Sequence, residues 1–475
     1  MLGVRAVHHD ARPVSGHARR IPIALAGVAL AVSLGQATAI AVPPPSIDPG
    51  RVPPNSAPSG PKTELRDPCS TTQPAADLAQ VPPPQRALDL ESVWPLSTGR
   101  GQTVAVIDTG VERHSRLPGL IPGGDYVSTG DGTQDCDAHG TLVAGIIAAN
   151  RSGQTGFAGV APDARILSIR QSSNIYRETD GRKDAEGQNA KGAGNVSTLA
   201  RAIRHAADFP GVTVINISEV ACVPAGAGDS AALGAAVDYA ARIKDIVVVA
   251  AAGNLDSEAC KASNPQPNPA TPHANPWDSV TTIATPAWYD DQVLAVGSVD
   301  QGGAPSPFTV PGPWVDVAAP GTEITSLDPR RPEPTGVTDS VNGGSVQGTS
   351  FAAPYVAGTA ALIRARFPRL TARQVMDRIE QTAHAPADGW DPFVGHGVID
   401  PAAAVTAELP GSVPVDEPQS TAIAIPEAPA PPDDRPRKVA VAGAGGVVAL
   451  LGLGLLASFP LRRRLHRDGG ETSTG

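Results

Sequence analysis

The chain has 475 residues, a formal net charge of −10 at pH 7 and only 4% aromatic residues. Its 50 glycines and 49 prolines make up more than a fifth of the sequence, which predicts that part of the chain is linker. Binding to nucleic acid through its phosphates requires clustered Lys and Arg, so the net negative charge argues against a nucleic-acid partner.

The first 39 residues have the three parts of a secretory signal peptide. Arg19 and Arg20 precede an apolar run at 21–34, and the small residues ATA at 37–39 form a cleavage site. The apolar run is shorter than the roughly 20 residues that cross a bilayer as a helix, which argues against a retained anchor. We therefore predict a signal peptide at 1–39 and an exported body.

Residues 40–84 are rich in Pro and Ser and have little periodicity. This composition predicts an extended N-terminal arm rather than a packed domain. From residue 85 onwards the composition changes to that of a folded domain.

The chain has four cysteines, which fit an oxidising compartment and can pair in three ways. No CxxC motif is present, so their spacing does not indicate a zinc site. Our hypothesis is sequential pairing, Cys69 with Cys136 and Cys222 with Cys260. The first of these disulfides would hold the arm on the body.

Short apolar runs alternate with helical stretches after residue 85. The predicted strands are 102–107, 164–169, 212–217, 246–251 and 293–296, and the predicted helices include 196–207 and 231–243. Continuous apolar strands separated by helices are typical of a parallel sheet covered on both faces, so the predicted fold class is α/β. Residues 171–195 are polar and Gly-rich, which predicts an exposed loop.

Four polar residues stand at predicted strand ends or helix starts, where reactive groups gather in an open parallel sheet. Asp108 follows the strand QTVAVI, and Asn254 follows IVVVAA. His139 and Ser350 begin the helical stretches HGTLVAGIIAA and SFAAPYVAG. Each residue alone also has an ordinary interpretation: a turn residue, a structural histidine, or a serine that caps its helix.

Together these residues contain the groups that nucleophilic catalysis needs. A Ser hydroxyl is a weak nucleophile unless an imidazole takes its proton, and that imidazole needs a carboxylate to fix its tautomer and stabilise its charge. The amide of Asn254 could donate to a developing oxyanion. Pro354 cannot donate to the carbonyl of Ser350, so we expect an irregular first turn in this helix.

The blocks VAVIDTGV, HGTLVAGIIAA and GTSFAAPYVAG resemble the three signature blocks of the subtilisin-like serine proteases, in that family's order. The resemblance covers roughly residues 85–408 and implies a three-layer α/β domain with a mainly parallel central sheet. It implies that Asp108 orients His139, that His139 is the general base and acid, and that Ser350 attacks. Asn254 and the Ser350 N–H would form the oxyanion hole.

By analogy with that family, we expect these residues to line the substrate cleft: Ser218, Glu219, Val220, Ala251, Ala252 and Gly253. Glu219 would either favour a basic substrate residue near the cleaved bond or face solvent, and the sequence leaves both alternatives open. We predict no cofactor and no metal, because the scattered Asp residues lack the ligand pattern of a calcium loop.

The C-terminal part begins with a Pro-rich acidic linker at 409–438. The apolar, uncharged segment at 439–461 is long enough to cross a bilayer as a helix. Basic residues follow at once in the tail, residues 462–475, and together with the signal peptide they indicate a cytoplasmic C-terminus.

The order of these parts resembles that of the mycosins, the membrane-anchored proteases of actinobacterial type VII secretion systems. This resemblance implies a single-pass protein of the cell membrane with an extracytoplasmic catalytic domain. It implies two partners, a secreted protein substrate and the membrane components of the secretion system. No separately folded inhibitory domain fits before residue 85, so the arm could act as a clamp. The alternative function is a mainly structural subunit with secondary proteolysis.

Overall fold

The computed structural model describes residues 43–179, 192–226, 230–257, 260–266, 268, 270–271, 274–409 and 435–465. The chain divides into two compact units, residues 1–409 and residues 410–475. The predicted signal peptide lies outside the described residues, as do residues 410–434 of the predicted linker and residues 466–475 of the predicted tail.

The first unit contains short strands and helices that alternate for most of its length. Its strands are β1 (Thr63–Leu65), β2 (Thr72–Pro74), β3 (Thr103–Asp108), β4 (Leu120–Asp125), β5 (Arg165–Arg170), β6 (Tyr176–Glu178), β7 (Val212–Ile217), β8 (Ala221–Pro224), β9 (Val247–Ala251), β10 (Thr282–Thr285), β11 (Leu294–Val299), β12 (Val315–Pro320), β13 (Ser326–Leu327), β14 (Val337–Val341) and β15 (Gly344–Ser345). Its helices are α1 (Pro83–Ala87), α2 (Leu90–Val93), α3 (His139–Ala148), α4 (Val196–Asp208), α5 (Ala231–Asp238), α6 (Thr349–Arg366), α7 (Ala372–Thr382) and α8 (Pro401–Thr406).

A seven-stranded sheet forms the centre of this unit, in the order β12-β11-β9-β7-β3-β5-β4. Every neighbouring pair in it is parallel. β3, β9 and β11 are buried at every residue, as expected for apolar strands that are covered on both faces. The predicted α/β fold with a mainly parallel central sheet is confirmed.

Helices cover both faces of the sheet, each over its own hydrophobic core. Side chains alternate between the faces of a strand, so Val104 and Val106 of β3 belong to one core, and Ala105 and Ile107 to the other. The first core is completed by α3, α6, α7 and α8, and the second by α4 and α5. The result is a three-layer arrangement of helices, sheet and helices.

The N-terminal arm is extended and adds strands to sheets of the body. β1 pairs antiparallel with β6, and β2 pairs antiparallel with β14 in a four-stranded sheet that also contains β13 and β15. β6 lies within residues 171–195, where we predicted only an exposed loop, so the prediction is wrong for this strand. The strand forms because the arm supplies the pairing partner, whereas residues 180–191 lie outside the described residues.

Two disulfides join Cys69 to Cys136 and Cys222 to Cys260, the sequential pairing of our hypothesis. Cys69 belongs to the arm, and Cys136 lies in the turn that leads into α3. Next to this disulfide, the N–H of Ser70 donates to the carbonyl of Cys136 at 2.9 Å. The arm is therefore attached to the body by a covalent bond and a hydrogen bond at the same place.

The second unit contains helix α9 (Arg435–Leu465), which begins in the predicted linker and ends in the predicted tail. Several of its apolar side chains are exposed, among them Val441 and Leu450. Within the described residues, no helix combines the length and apolar character that a membrane crossing needs. The membrane span predicted at 439–461 is therefore not confirmed.

Candidate active site

Three predicted side chains meet at the carboxyl end of the central sheet. Asp108 is the last residue of β3, His139 is the first residue of α3, and Ser350 lies in the first turn of α6. Nδ1 of His139 lies 2.7 Å from Oδ1 of Asp108, and Nε2 lies 2.9 Å from Oγ of Ser350. Because an ionised carboxylate only accepts, Nδ1 donates to Asp108, and Nε2 of the neutral imidazole accepts from the Ser350 hydroxyl.

The Asp108 carboxylate is held rigidly at the end of a central strand. It is fully buried, and its Oδ1 also accepts from the backbone N–H of Thr109 at 2.7 Å. Its Oδ2 is buried without a hydrogen-bond partner in the described part of the chain. Among the described residues, His139 is therefore the one side chain that hydrogen-bonds this carboxylate.

A buried carboxylate that the sequence analysis missed fixes the start of α3. Oδ2 of Asp135 accepts from the N–H and the hydroxyl of Thr141, at 2.8 and 2.6 Å, and Oδ1 accepts from the hydroxyl of Thr109 at 2.9 Å. Ala138 takes a left-handed backbone conformation, φ 71°, immediately before His139. An Asp shortly before a helical pattern is a helix-start signal, so Asp135 could have been found from its position.

The first turn of α6 is helical but lacks one backbone hydrogen bond, and the carbonyl left over accepts from a side chain instead. Pro354 lies inside the helix, so the carbonyl of Ser350 has no N–H four residues later. The hydroxyl of Ser218 donates to this carbonyl at 2.7 Å, and Asn216 Nδ2 donates to the same hydroxyl at 2.9 Å. Ser218, which we predicted only as a cleft residue, therefore also holds the backbone of Ser350.

The Asn254 side chain is oriented by the residue before Ser350. Its Oδ1 accepts from the N–H and the hydroxyl of Thr349, at 3.0 and 3.1 Å. This leaves the Nδ2 group to donate elsewhere. A Cβ atom added to Gly348 would lie 3.2 Å from both Asn254 Nδ2 and Ser350 Oγ, so the glycine keeps open the space between them. An oxyanion formed beside Ser350 would lie in this space, within reach of the Asn254 amide.

A cavity of about 810 Å³ surrounds these groups. His139, Asn254 and Ser350 lie in its wall. The predicted cleft residues that line it are Ser218, Glu219, Val220, Ala251 and Gly253. The arm also contributes residues 66–68 and Ser70, which the sequence analysis did not include.

Ala252 does not line the cavity, and its prediction as a cleft residue is wrong. Its side chain is fully buried in the second core, and its N–H donates to the carbonyl of Val296 at 2.9 Å. At the end of β9 successive side chains still point to opposite sides, so a run of three residues cannot all face the substrate.

Glu219 lies beside the catalytic imidazole. It is half-buried, and one of its carboxylate oxygens accepts from the hydroxyl of Ser172 at 3.0 Å. One oxygen each of Glu219 and Asp108 and one ring nitrogen of His139 all lie within 4.8 Å of one another. Among the described residues, this is the one cluster of three or more His, Cys, Asp or Glu side chains that lie close enough together to bind a metal ion.

The charges around His139 favour its protonated form. Burial lowers the pKa of His139, but the charge and hydrogen bond of Asp108, with smaller effects of Glu219 and Asp135, give a net increase. Burial raises the pKa of Glu219 to about 7, aided by the charge of Asp108 and opposed by His139 and the Ser172 hydrogen bond. Burial also raises the pKa of Asp135 to about 7, although the hydrogen bonds from Thr141 and Thr109 act to lower this pKa.

The sequence profile of the subtilase family matches residues 99–397, a range that contains Asp108, His139, Asn254 and Ser350. The chain therefore belongs to the subtilase family, and it is a subtilisin-like serine protease. Within this family it is a mycosin. It is 48% identical to Mycosin-4 of Mycobacterium tuberculosis (strain ATCC 25618 / H37Rv) over 463 residues, which cover 94% of this chain and 97% of that relative.

Solved structures of mycosins have the same fold. The crystal structure of MycP1 from Mycobacterium smegmatis is 43% identical, with a TM-score of 0.71, and the match covers 78% of this chain and 96% of that chain. A chain in the structure of an intact ESX-5 inner membrane complex is 41% identical, with a TM-score of 0.73, and the match covers 88% of this chain and 100% of that chain.

Proposed function

We propose that the protein is a membrane-anchored serine endopeptidase that cleaves a secreted protein outside the cytoplasmic membrane in association with type VII secretion. The hydrogen-bonded chain from Asp108 through His139 to Ser350, with the Asn254 amide beside it, is the observation that supports the catalytic part. The kinship to mycosins supports the role in secretion.

In the proposed reaction, Oγ of Ser350 attacks the carbonyl carbon of the substrate peptide bond, and its proton moves to Nε2 of His139. Asp108 keeps Nδ1 protonated and stabilises the imidazolium that results. His139 then gives its proton to the departing amine as the C–N bond breaks, which leaves an acyl group on Ser350. Water, activated in the same way by His139, releases the acyl group and restores the hydroxyl.

The tetrahedral intermediates carry a negative oxygen that needs hydrogen-bond donors. The Nδ2 of Asn254 and the N–H of Ser350 are the proposed donors, because Ser350 is in a first helical turn, where an N–H has no partner within the helix. We propose that the substrate chain lies in the cavity against residues 218–220, Ala251 and Gly253.

The similarity to a chain of an ESX-5 inner membrane complex supports a membrane location and membrane components of a secretion system as partners. We propose that residues 439–461 anchor the protein, with the catalytic unit outside and the C-terminus in the cytoplasm. Removal of residues 435–475 should shift the exported protein from the membrane fraction to the soluble fraction. An unchanged membrane fraction would contradict this anchor.

The catalytic proposal is tested by labelling with a fluorophosphonate, which reacts with an activated serine. We expect the wild-type protein to be labelled and the Ser350→Ala variant to remain unlabelled, because no other hydroxyl has the His139 base. Circular dichroism of both proteins provides the control for folding. Equal labelling of the two proteins would refute the assignment of Ser350.

The alternative, a mainly structural subunit, is supported by the same similarity to a membrane complex. A secretion assay separates the two functions when the gene is deleted and then restored with wild type or with Ser350→Ala. Normal secretion with Ser350→Ala, but none after deletion, would assign the essential role to the structure of the protein. Loss of secretion in both strains would assign it to proteolysis.

A further inference from the structure

Glu219 has a position that the proposed reaction does not yet use. β3 lies between β5 and β7 in the central sheet. Their carboxyl ends bring together Ser172, which follows β5, Asp108 at the end of β3, and Glu219, which follows β7. The sheet order thus places a second carboxylate beside Asp108 and His139. One carboxylate oxygen of Glu219 lies within 4.8 Å of an oxygen of Asp108 and of a ring nitrogen of His139.

The neighbours of Glu219 do not neutralise it. Its hydrogen bond comes from the uncharged hydroxyl of Ser172, and the charges that act on it are those of Asp108, His139 and Asp137. Of these, only His139 can carry a positive charge. An ionised Glu219 therefore has one favourable charge partner among these groups, and this partner is the imidazolium.

We infer that Glu219 acts through His139 as a positioning residue, and that its negative charge stabilises the imidazolium that forms when Ser350 attacks. This inference rests on the proposed catalytic roles of His139 and Ser350. An opposite charge within about 4–6 Å typically stabilises the charged form of a titratable group by at least one pKa unit. Glu219 meets this distance without occupying Nε2, which must stay free for the proton of Ser350.

The other acidic groups near His139 have partners of their own. Asp135 accepts hydrogen bonds from Thr109 and Thr141, and Asp137 accepts from the hydroxyl of Ser173 and the N–H of Asn174. Asp135 and Asp137 are thus tied into the turn that leads to α3. Glu219 differs because it is only half-buried and its hydrogen bond comes from the single hydroxyl of Ser172, so its protonation can follow the pH of the solution.

The pH dependence of the reaction follows from these charges. Since Glu219 helps to raise the pKa of His139, its charge reduces the fraction of neutral base at a given pH but stabilises the imidazolium formed in the reaction. Removal of the charge should therefore shift the activity profile to lower pH and reduce the rate on the alkaline plateau. A residue that only supports the loop would change neither quantity in this way.

The test measures the second-order rate constant of fluorophosphonate labelling from pH 5 to pH 10, which needs no knowledge of the natural substrate. For Glu219→Gln we expect the midpoint of the profile to fall by about one pH unit. We expect the plateau rate to fall about tenfold, because one pKa unit of imidazolium stabilisation corresponds to a factor of ten. The Gln side chain keeps the oxygen that accepts from Ser172, so this variant should fold.

Two further variants provide the controls. Ser172→Ala removes the hydroxyl but keeps the charge, so its midpoint should stay near that of wild type, and Glu219→Asp should restore part of the shift. A wild-type midpoint in Glu219→Gln would overturn the inference, even if this variant cleaved peptides with Lys or Arg more slowly. Such a result would instead assign Glu219 to substrate selection. Absence of labelling in wild type at every pH would refute the proposed function itself.

Discussion

At position 348, both the backbone conformation and the neighbouring side chains restrict the residue to glycine. Its φ of 144° favours glycine, and an added Cβ would lie 3.2 Å from Asn254 Nδ2 and from Ser350 Oγ. In Gly348→Ala we expect the methyl group to displace the Asn254 amide from the oxyanion position. Loss of one oxyanion donor costs about 100-fold or more in rate, a magnitude known from subtilisin itself. The rate of fluorophosphonate labelling measures the effect.

Gly343→Ala is the matched control for Gly348→Ala. Gly343 also has a positive φ, 77°, but a Cβ there would meet no atom within 4 Å. Both substitutions should therefore cost backbone strain of about 1–3 kcal/mol, whereas only Gly348→Ala should slow labelling. A similar labelling rate in the two variants would show that the added methyl group does not disturb the site.

The sequence predicted the four central site residues because each stands at a strand end or a helix start. The supporting residues were harder to predict. Ser218 holds the carbonyl of Ser350 across 132 positions of the chain, and no local pattern records such a contact. Ala252 was assigned to the cleft by analogy with its neighbours, although its side chain points into the core.

At the scale of secondary-structure elements, the predictable strands were those at the centre of the sheet. β3, β5, β7, β9 and β11 are apolar runs, and their predicted bounds agree with the structure to within a few residues. The two edge strands were missed. β4 contains a Pro and two Gly, and β12 contains an Asp and ends at a Pro, which are features of edge strands rather than of buried ones.

Besides its pairing with β14, β2 has one buried side-chain hydrogen bond to the body. The hydroxyl of Thr72 donates to Oδ1 of Asp328 at 2.6 Å, and both residues are buried. Thr72→Val keeps the shape of the side chain but removes one of the donors to a buried carboxylate. We expect a loss of about 1–3 kcal/mol in the free energy of unfolding. Urea unfolding measures this loss, and faster amide hydrogen exchange in β2 would locate it.

The neighbouring residue provides a control for this strand. Thr71 is exposed, and its hydroxyl lies 3.4 Å from Oδ1 of Asn342. Thr71→Val should therefore change the free energy of unfolding by less than about 0.5 kcal/mol. If both variants lost the same stability, the buried hydrogen bond would not be what holds the strand.

At the scale of the whole molecule, the two disulfides constrain different parts of the first unit. Cys69–Cys136 joins residues 67 positions apart, and Cys222–Cys260 joins residues 38 positions apart. From these loop lengths, the chain-entropy model gives about 4 kcal/mol of stabilisation for each. We expect a similar loss of stability in the two double Cys→Ser variants.

Only the loss of Cys69–Cys136 should release the arm. Hydrogen exchange of β1 and β2 should therefore become faster in the Cys69→Ser/Cys136→Ser variant and stay unchanged in the Cys222→Ser/Cys260→Ser variant. Unchanged exchange in both would mean that strand pairing alone holds the arm in place.

The arm also determines when the cavity is complete. Residues 66–68 and Ser70 line the cavity, yet the Asp328 that binds Thr72 is synthesised 256 positions later. Contacts between such distant positions form late, because a long loop must close first. Strand β2, which follows this part of the wall, is therefore among the last parts of the arm to be fixed. A chain that ends before β14 lacks both the strand that pairs with β2 and Ser350, so a substrate first meets a complete site when the whole first unit has been made.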